Sequence, residues 1–161
     1  MRLTTFTDYS LRVLIYLAAE ANRRITIAEI AEAFDIAENH LTKVVHFLGK
    51  QGWISTVRGK GGGMMLALPP DEISVGKVVR DTEGAAMPAE CFAPDGSDCV
   101  IARCCRLKLV LREAVDGFYA VLDSYTLADI TRNKQALSSV LHFHRSPASG
   151  TAREGTVRRP S

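Results

Sequence analysis

Residues 38–68 read ENHLTKVVHFLGKQGWISTVRGKGGGMMLAL, from Glu38 to Leu68. Leu41, Val44, Val45 and Leu48 recur at the spacing of a helix buried along one face, and the stripe stops at Gly52. The period then changes. Trp53-Ile54-Ser55-Thr56-Val57-Arg58 reads as a strand and Met64-Met65-Leu66-Ala67-Leu68 as its partner. Between them, Gly59-Lys60-Gly61-Gly62-Gly63 holds enough glycine to turn through positive φ without strain. Pro69-Pro70 closes the unit.

Working upstream, Arg24-Ile25-Thr26 precedes Ile27, Ile30, Ala31 and Phe34 at helical spacing, with Thr26 as N-cap. Asp35-Ile36-Ala37 separates that helix from the next. Two short helices joined by about three residues, the second polar on its outer face, form a helix-turn-helix. The hairpin directly after it makes the module a winged helix. Leu11, Leu14, Ile15 and Ala18 mark a further helix in front, with Thr7 as expected N-cap and Asp8 at the positive end of its dipole.

Downstream, Ser74 caps a short helix carrying Val75, Val78 and Val79, and residues 85–98 read as a loop. Leu107, Leu111, Ala114, Val115, Phe118, Leu122 and Tyr125 form a sustained stripe, so one long helix is expected over 101–124. Its length of ~36 Å exceeds what a small core needs. Pairing with a second copy is the expected use, with packing on the chain's own first helix as the alternative. Thr126 opens a C-terminal helix through Leu127 and Ile130. From Arg145 on, too few apolar side chains remain to offset ordering entropy, and disorder is expected. The expected fold is mostly α with a small β-hairpin wing, a winged helix-turn-helix followed by a long dimerisation helix. Its parts are a winged-helix domain at 1–70, a connecting helix and cysteine-bearing loop at 71–100, dimerisation and C-terminal helices at 101–144, and a disordered tail at 145–161.

Across 161 residues, 20 basic and 18 acidic groups nearly cancel, so bulk charge identifies no partner. The distribution is uneven: residues 1–70 carry 8 basic and 6 acidic groups, 71–144 carry 8 and 11, and 145–161 carry 4 and 1. No apolar run reaches the ~18 residues of a membrane span, and the polar N-terminus is not a signal sequence. A cytoplasmic chain with reduced thiols is therefore expected. Gly59–Gly63 joins two strands and opens no helix, so it is not a nucleotide-binding fingerprint, and an enzyme is not expected.

DNA recognition follows from geometry. The second helix of such a motif lies in the major groove with its N-terminal residues toward base edges. Off its apolar stripe stand Glu38, Asn39, His40, Thr42, Lys43, His46 and Lys50. Asparagine pairs with adenine in bidentate fashion, and lysine and histidine meet guanine or phosphate. Arg58 and Lys60 sit at the wing tip, where cations reach the minor groove or its phosphates. Asn39, His40, Thr42, Lys43, Arg58 and Lys60 form the expected DNA-binding set.

All four cysteines fall within residues 91–105, spaced Cys91-x7-Cys99-x4-Cys104-Cys105. This is neither a zinc-ribbon nor a thioredoxin-type pattern. It suits an iron–sulfur cluster held by a loop and a helix start, since soft thiolates match such clusters. Adjacent Cys104 and Cys105 cannot easily both bind one cluster, so one is a bystander. Three thiolates leave one iron to a carboxylate, a histidine or a small molecule, and that position is the easiest entry for a reactive gas.

Several motifs in order resemble one family. They are Leu3-Thr4-x-Phe6-Thr7-Asp8-Tyr9 with Leu11-Arg12-Val13-Leu14-Ile15-Tyr16, Asn39-His40-Leu41-x-Lys43-Val44-Val45, Thr56-Val57-Arg58-Gly59-Lys60-Gly61-Gly62-Gly63, Cys105-Arg106-Leu107-Lys108 and Ser124-Tyr125-Thr126-Leu127-Ala128-Asp129. Over residues 1–142 the chain resembles the NsrR nitric-oxide-sensing repressors, in the winged-helix family that includes IscR. The resemblance implies a homodimeric repressor on near-palindromic double-stranded operator DNA, with one iron–sulfur cluster per subunit, nitric oxide as effector and no membrane partner. It places the thiolates at Cys91, Cys99 and Cys105. The Arg-Leu-Lys after Cys105 favours it over Cys104, which is extra, and the loop between the first two cysteines is longer than is common. IscR carries a histidine three residues after its last cysteine, where this chain has Lys108. Asp8, reaching across from the other subunit, is therefore assigned as fourth ligand. A 4Fe-4S cluster is favoured, with 2Fe-2S also compatible. The rival readings are an IscR-like iron–sulfur or redox-responsive regulator, and a DNA-binding regulator switched by zinc or by its thiols.

Overall fold

The computed structural model describes residues 2–84, 89, 92, 100, 101 and 104–143, without the side chains of 142 and 143. Cys91, Cys99, most of the 85–98 loop and the 145–161 tail lie outside the described residues. The described residues form seven α-helices and one hairpin, in the order α1 Thr5–Ala19, α2 Ile27–Phe34, α3 Glu38–Lys50, β1 Ile54–Val57, β2 Gly63–Leu66, a 3-10 turn Pro70–Glu72, α4 Val75–Glu83, α5 Leu107–Asp123, α6 Leu127–Ile130 and α7 Lys134–Phe143.

Helix α1 begins earlier than the expected Thr7 cap. Thr4 is the N-cap, its Oγ1 accepting the Thr7 N–H at 3.2 Å, and Thr7 is buried inside the first turn. Thr26 caps α2 as expected, accepting from Glu29 N–H at 3.2 Å. Asp35 then turns through φ 52°, and the Ile36 N–H bonds back to Ala31 at 3.0 Å. This left-handed step ends α2 sharply and buries Ile36 before α3 starts. Leu41, Val44 and Leu48 of α3 are fully buried against α1 and α2. Each such aliphatic side chain stabilises the fold by roughly 1.5–3 kcal/mol, which fixes α3's rotation and turns its polar face outward.

The wing is shorter than expected. Ile54–Val57 pairs antiparallel with Gly63–Leu66 in the register Ile54↔Leu66 to Val57↔Gly63. Ile25 adds an isolated bridge to Met64, donating to its carbonyl at 2.9 Å and accepting from its N–H at 2.7 Å. The wing is thereby tied to the segment that opens α2.

The expected 101–124 helix runs only over the 17 residues of α5. Ahead of it the Cys104 N–H closes a turn onto the Ile101 carbonyl at 3.0 Å. Among the described residues, α5 packs chiefly on α4. Arg80 donates to both Asp123 carboxylate oxygens, at 2.6 and 2.5 Å, and its guanidinium lies 4.5 Å from the Tyr119 ring centre. Arg80 comes one turn after Gly76, which also faces Asp123, and Tyr119 one turn before Asp123; the helices therefore run antiparallel. The Val75 N–H bonds to Tyr125 and the Leu127 N–H to Ile73, at 3.0 and 2.8 Å. The C-terminal helix is two segments. α6 starts in a capping box between Thr126 and Asp129, and α7 returns to α1, where Ser138 donates to Glu20 at 2.6 Å and Leu141 is buried. No described helix is long and apolar enough to cross a membrane.

Candidate nucleic-acid interface and metal-ligand residues

Asn39, Lys43 and His46 stand exposed on α3, and Arg58 and Lys60 on the turn between β1 and β2. None of the five makes a side-chain hydrogen bond or ion pair with another described residue. Glycine is required in that turn. Gly59 and Gly61 adopt φ 94° and 76°, and a Cβ at Gly62 would lie 2.7 Å from the Gly59 carbonyl oxygen. The turn is thus compact, and it holds its two cations away from the core.

Four residues of the expected DNA-binding set divide between two hollows on either side of α3, while Asn39 and Lys60 line neither. A cleft of about 720 Å³ runs between the start of α2, the outer face of α3 and the wing, lined by Thr26, Thr42, His46, Lys50 and Arg58 among others. The Thr42 hydroxyl donates to the Glu38 carbonyl at 2.8 Å, so its proton is committed inside the helix. His40 and Lys43 instead line a hollow of about 210 Å³ with Thr5, Phe6, Tyr9 and Val44. There His40 stacks on Tyr9 with ring centres 6.2 Å apart. His40 therefore packs the start of α3 against α1 while remaining exposed. His46 and Lys50, outside the expected set, line the cleft; their place off the apolar stripe was the available signal.

Among the described residues no three metal-ligating side chains converge. Cys105 is half-buried immediately before α5, and Cys104 is exposed with its thiol 3.5 Å from the Ile101 carbonyl. Arg106 is the N-cap position of α5 and supplies no side-chain cap. Cys105 stands at the end of α5 where the first-turn N–H groups leave the positive end of the helix dipole, with Lys108 and Arg112 further along the same helix. Both cations lie near the Phe92 ring, at 5.7 and 5.8 Å, which sets one point of the cysteine loop against α5. This donor chemistry fits an anionic, thiolate-held cluster.

Asp8 lies on the first turn of α1, its side chain 46% exposed, with Oδ2 2.9 Å from Arg12 Nη2. Sequence reasoning missed Glu83. Its carboxylate accepts from the Thr4 N–H at 2.7 Å and the Thr4 hydroxyl at 3.1 Å. Desolvation pushes the Glu83 pKa up, but hydrogen bonds from Thr7 and Thr4 outweigh it and hold the group below its ordinary value. The pair joins the end of α4, where the cysteine loop departs, to the turn carrying Asp8. Cys105 is elsewhere. It precedes α5, which at 1.5 Å per residue is about 26 Å long against about 14 Å for α4. With Asp123 beside Gly76, 16 residues of α5 run back against 7 of α4, so along a shared axis that end of α5 reaches about 14 Å past the end of α4.

A recognition helix with a free polar face, a glycine-turned basic wing and a cleft between them define a winged-helix DNA-binding regulator. The family Rrf2, described as "Iron-dependent Transcriptional regulator", matches residues 3–133. The chain is 47% identical over 146 residues to the HTH-type transcriptional regulator NsrR of Geobacillus kaustophilus (strain HTA426), covering 90% of this chain and 99% of that one. It is 48% identical over 142 residues to NsrR of Bacillus subtilis (strain 168), covering 88% and 97%. The chain belongs to the Rrf2 family of transcriptional regulators, and within it to the NsrR type. Among solved structures, T. potens IscR superposes with a TM-score of 0.65 at 28% identity, covering 83% of this chain and 88% of that one. CymR (YrzC), the global cysteine regulator of B. subtilis, gives 0.64 at 30% identity, covering 83% and 98%. The relatives are named as regulators rather than enzymes.

Proposed function

We propose that this regulator is a homodimeric repressor that binds near-palindromic operator DNA while carrying an iron–sulfur cluster, and leaves the DNA when nitric oxide reaches that cluster. The observation that carries the reading is the position of Cys105, at the uncapped positive end of a helix whose apolar side chains the described residues leave exposed. Leu107, Leu109, Val110 and Val121 of α5 are 59–67% exposed, and no described residue of α5 is buried. A second copy is the natural cover for such a face. The names of the relatives support the same assignment.

In this dimer Cys91, Cys99 and Cys105 hold the cluster, one per subunit and of 4Fe-4S type in preference to 2Fe-2S. Asp8 of the partner subunit supplies the remaining ligand, which the overreach of α5 past its own α4 favours. When bound, the cluster supplies the reaction with nitric oxide. The thiolates tie the 85–103 segment to the start of α5, and Asp8 ties α1 to the other subunit. Once released, Asp8 has Arg12 as a ready partner within its own helix. Asn39, His40, Thr42 and Lys43 of α3 face the major groove, and Arg58 and Lys60 meet the backbone or minor groove beside it. Residues 1–70 read DNA, 71–100 connect and bind the cluster, 101–144 dimerise, and 145–161 form a tail. The setting is the cytoplasm.

The test starts from anaerobically purified protein and a random duplex library. The expected result is a brown protein that selects a two-fold site with half-sites about one helical turn apart, and stoichiometric nitric oxide lowers affinity for it at least tenfold. Unchanged affinity after nitric oxide overturns the sensing reading. A colourless protein that still binds overturns the cluster.

A further inference from the structure

Two adjacent arginines between α1 and α2 have different fates. Arg23 is half-buried and held by two carboxylates, Glu29 at 2.7 Å and Glu20 at 3.4 Å. Arg24 is exposed, and its one described hydrogen bond goes from Nη1 to the Gly61 carbonyl oxygen at a long 3.4 Å. No described carboxylate pairs with it.

The backbone decides where Arg24 points. Ile25 is fully buried and bridges Met64 through both of its backbone groups, so it sits as a strand residue. Side chains alternate across a strand, and Arg24 and Thr26 therefore share the face opposite Ile25. Thr26 lines the cleft between α2, α3 and the wing. Arg24 emerges on that same face, against the base of the wing, where a Cβ at Gly63 would lie 3.1 Å from its own Cβ. Arg24, more than 30 positions away in sequence, thus joins Arg58 and Lys60 at one glycine turn. Glu38 is the one carboxylate among the described cleft-lining residues.

Resting on the DNA-binding reading above, we propose that Arg24 contacts a DNA phosphate, flanking the wing from the helix-turn-helix side. The guanidinium is a planar fork of five donors that matches phosphate geometry. The Gly61 carbonyl engages one donor and aims the group, leaving the rest uncommitted. Arg23 would have to surrender two carboxylates to do the same; Arg24 surrenders none.

The test measures binding of the full-length, cluster-loaded protein to its selected duplex by fluorescence anisotropy between 50 and 200 mM salt. Arg24→Gln, Arg24→Lys and Arg23→Gln are compared with wild type. Each phosphate contact contributes a slope of about 0.9 in log K against log salt, so Arg24→Gln lowers the slope by about 1.8 per dimer. Affinity at 0.1 M salt falls on the order of 50-fold, the same slope change read from a 1 M reference. Arg24→Lys keeps the wild-type slope, and so does Arg23→Gln. The penalty for a wrong base pair in the site is unchanged, because a phosphate contact carries no sequence information. An Arg24→Gln protein that binds weakly with the wild-type slope makes Arg24 a brace for the wing and overturns the inference alone. Wild-type protein that binds no duplex overturns it together with the reading beneath it. As a measurement independent of variant folding, neutralising single phosphates as methylphosphonates in the duplex is expected to cost wild-type affinity at a position facing Arg24. Absence of any such position there overturns the inference.

Discussion

Replacing Gly76 and Gly49 separately by alanine puts the same change into two helices with opposite expected outcomes. Alanine is favoured over glycine inside a helix by about 1 kcal/mol, because glycine loses more backbone freedom on folding. Gly49, one residue from the end of α3, has nothing within 4 Å of where its Cβ would stand, so Gly49→Ala gains up to that amount. Gly76 is buried in α4, where the new methyl would overlap the Asp123 carboxylate and come within 2.8 Å of the Asp123 backbone nitrogen. The carboxylate cannot swing aside without giving up Arg80, and the backbone cannot retreat without carrying α5 with it. Overpacking of this kind costs about 1–3 kcal/mol, so the net effect of Gly76→Ala is about 0–2 kcal/mol of destabilisation. The two variants therefore differ by up to about 3 kcal/mol, or up to roughly 10 °C in midpoint for a chain of this size. Thermal and urea unfolding at one fixed protein concentration read this directly. Equal stabilisation by both substitutions would refute the close approach of α4 and α5, and with it the idea that Gly76, Arg80, Tyr119 and Asp123 form a rigid joint.

Other outcomes follow from single contacts. Gly62→Ala sets a Cβ 2.7 Å from the Gly59 carbonyl, reopening the wing turn. Operator affinity is expected to fall on the order of 50-fold, the equivalent of one displaced phosphate contact in each subunit of the dimer at 0.1 M salt, while far-ultraviolet circular dichroism is unchanged. Glu83 titrates below its ordinary value of 4.5, so the stability it adds is present above the unfolded-state value of about 4.3 and is lost as pH falls through the lower folded-state value. Glu83→Gln is therefore less stable than wild type at pH 7, and the gap closes as pH falls through the lowered folded-state value; a gap independent of pH in urea titrations contradicts this. Cys105→Ser is expected to remove the visible chromophore of anaerobically purified protein and Cys104→Ser to keep it, a reversed pattern making Cys104 the ligand.

The sequence made the winged helix legible because its signals are local and redundant. Leu41, Val44, Val45 and Leu48 can bury only one face of a helix, and the run from Gly59 to Gly63 can do little but turn. Ser74, Thr26 and Thr126 likewise cap the helices they were expected to cap. The Thr7 assignment missed by one turn because two threonines of equal capping ability, Thr4 and Thr7, precede the same stripe. Only the long-range contact of Thr4 with Glu83 and the burial of Thr7 separate them. The start of α5 was misread for a related reason. Val100 and Ile101 are apolar enough to extend the stripe, yet both are exposed, with Cys104 closing a turn back onto Ile101. Arg24 and Glu83 left no periodic trace. Each acts through a partner nearly 40 or nearly 80 positions away, at Gly61 and Thr4.

The location of Asp8 explains how a ligand lost at one end of this molecule would reach the DNA. Phe6 and Tyr9 are three residues apart and so share one face of α1. Phe6 meets Phe47 edge-on at 5.3 Å, and Tyr9 stacks on His40 at 6.2 Å, both on α3. Asp8 projects from a different face of the same turn, toward Arg12 one turn on. A force on Asp8 is therefore applied to the turn that grips the recognition helix at two points. α1 also packs on α4, α6 and α7, so its tilt is set jointly with the α4–α5 joint and not by a chain of side chains alone. In the proposed dimer the two recognition helices must stand ~34 Å apart. A tilt of roughly 6° over that span displaces a reading head by about 3.5 Å, close to one base-pair step along the duplex. Recognition would fail at that displacement even if no DNA-contacting side chain changed its own conformation. Loss of the proposed carboxylate tie on α1 would thus have enough leverage to release the operator, and substitution of Phe6, which meets Phe47 and none of the proposed DNA-contacting side chains, should weaken that coupling while those side chains stay in place.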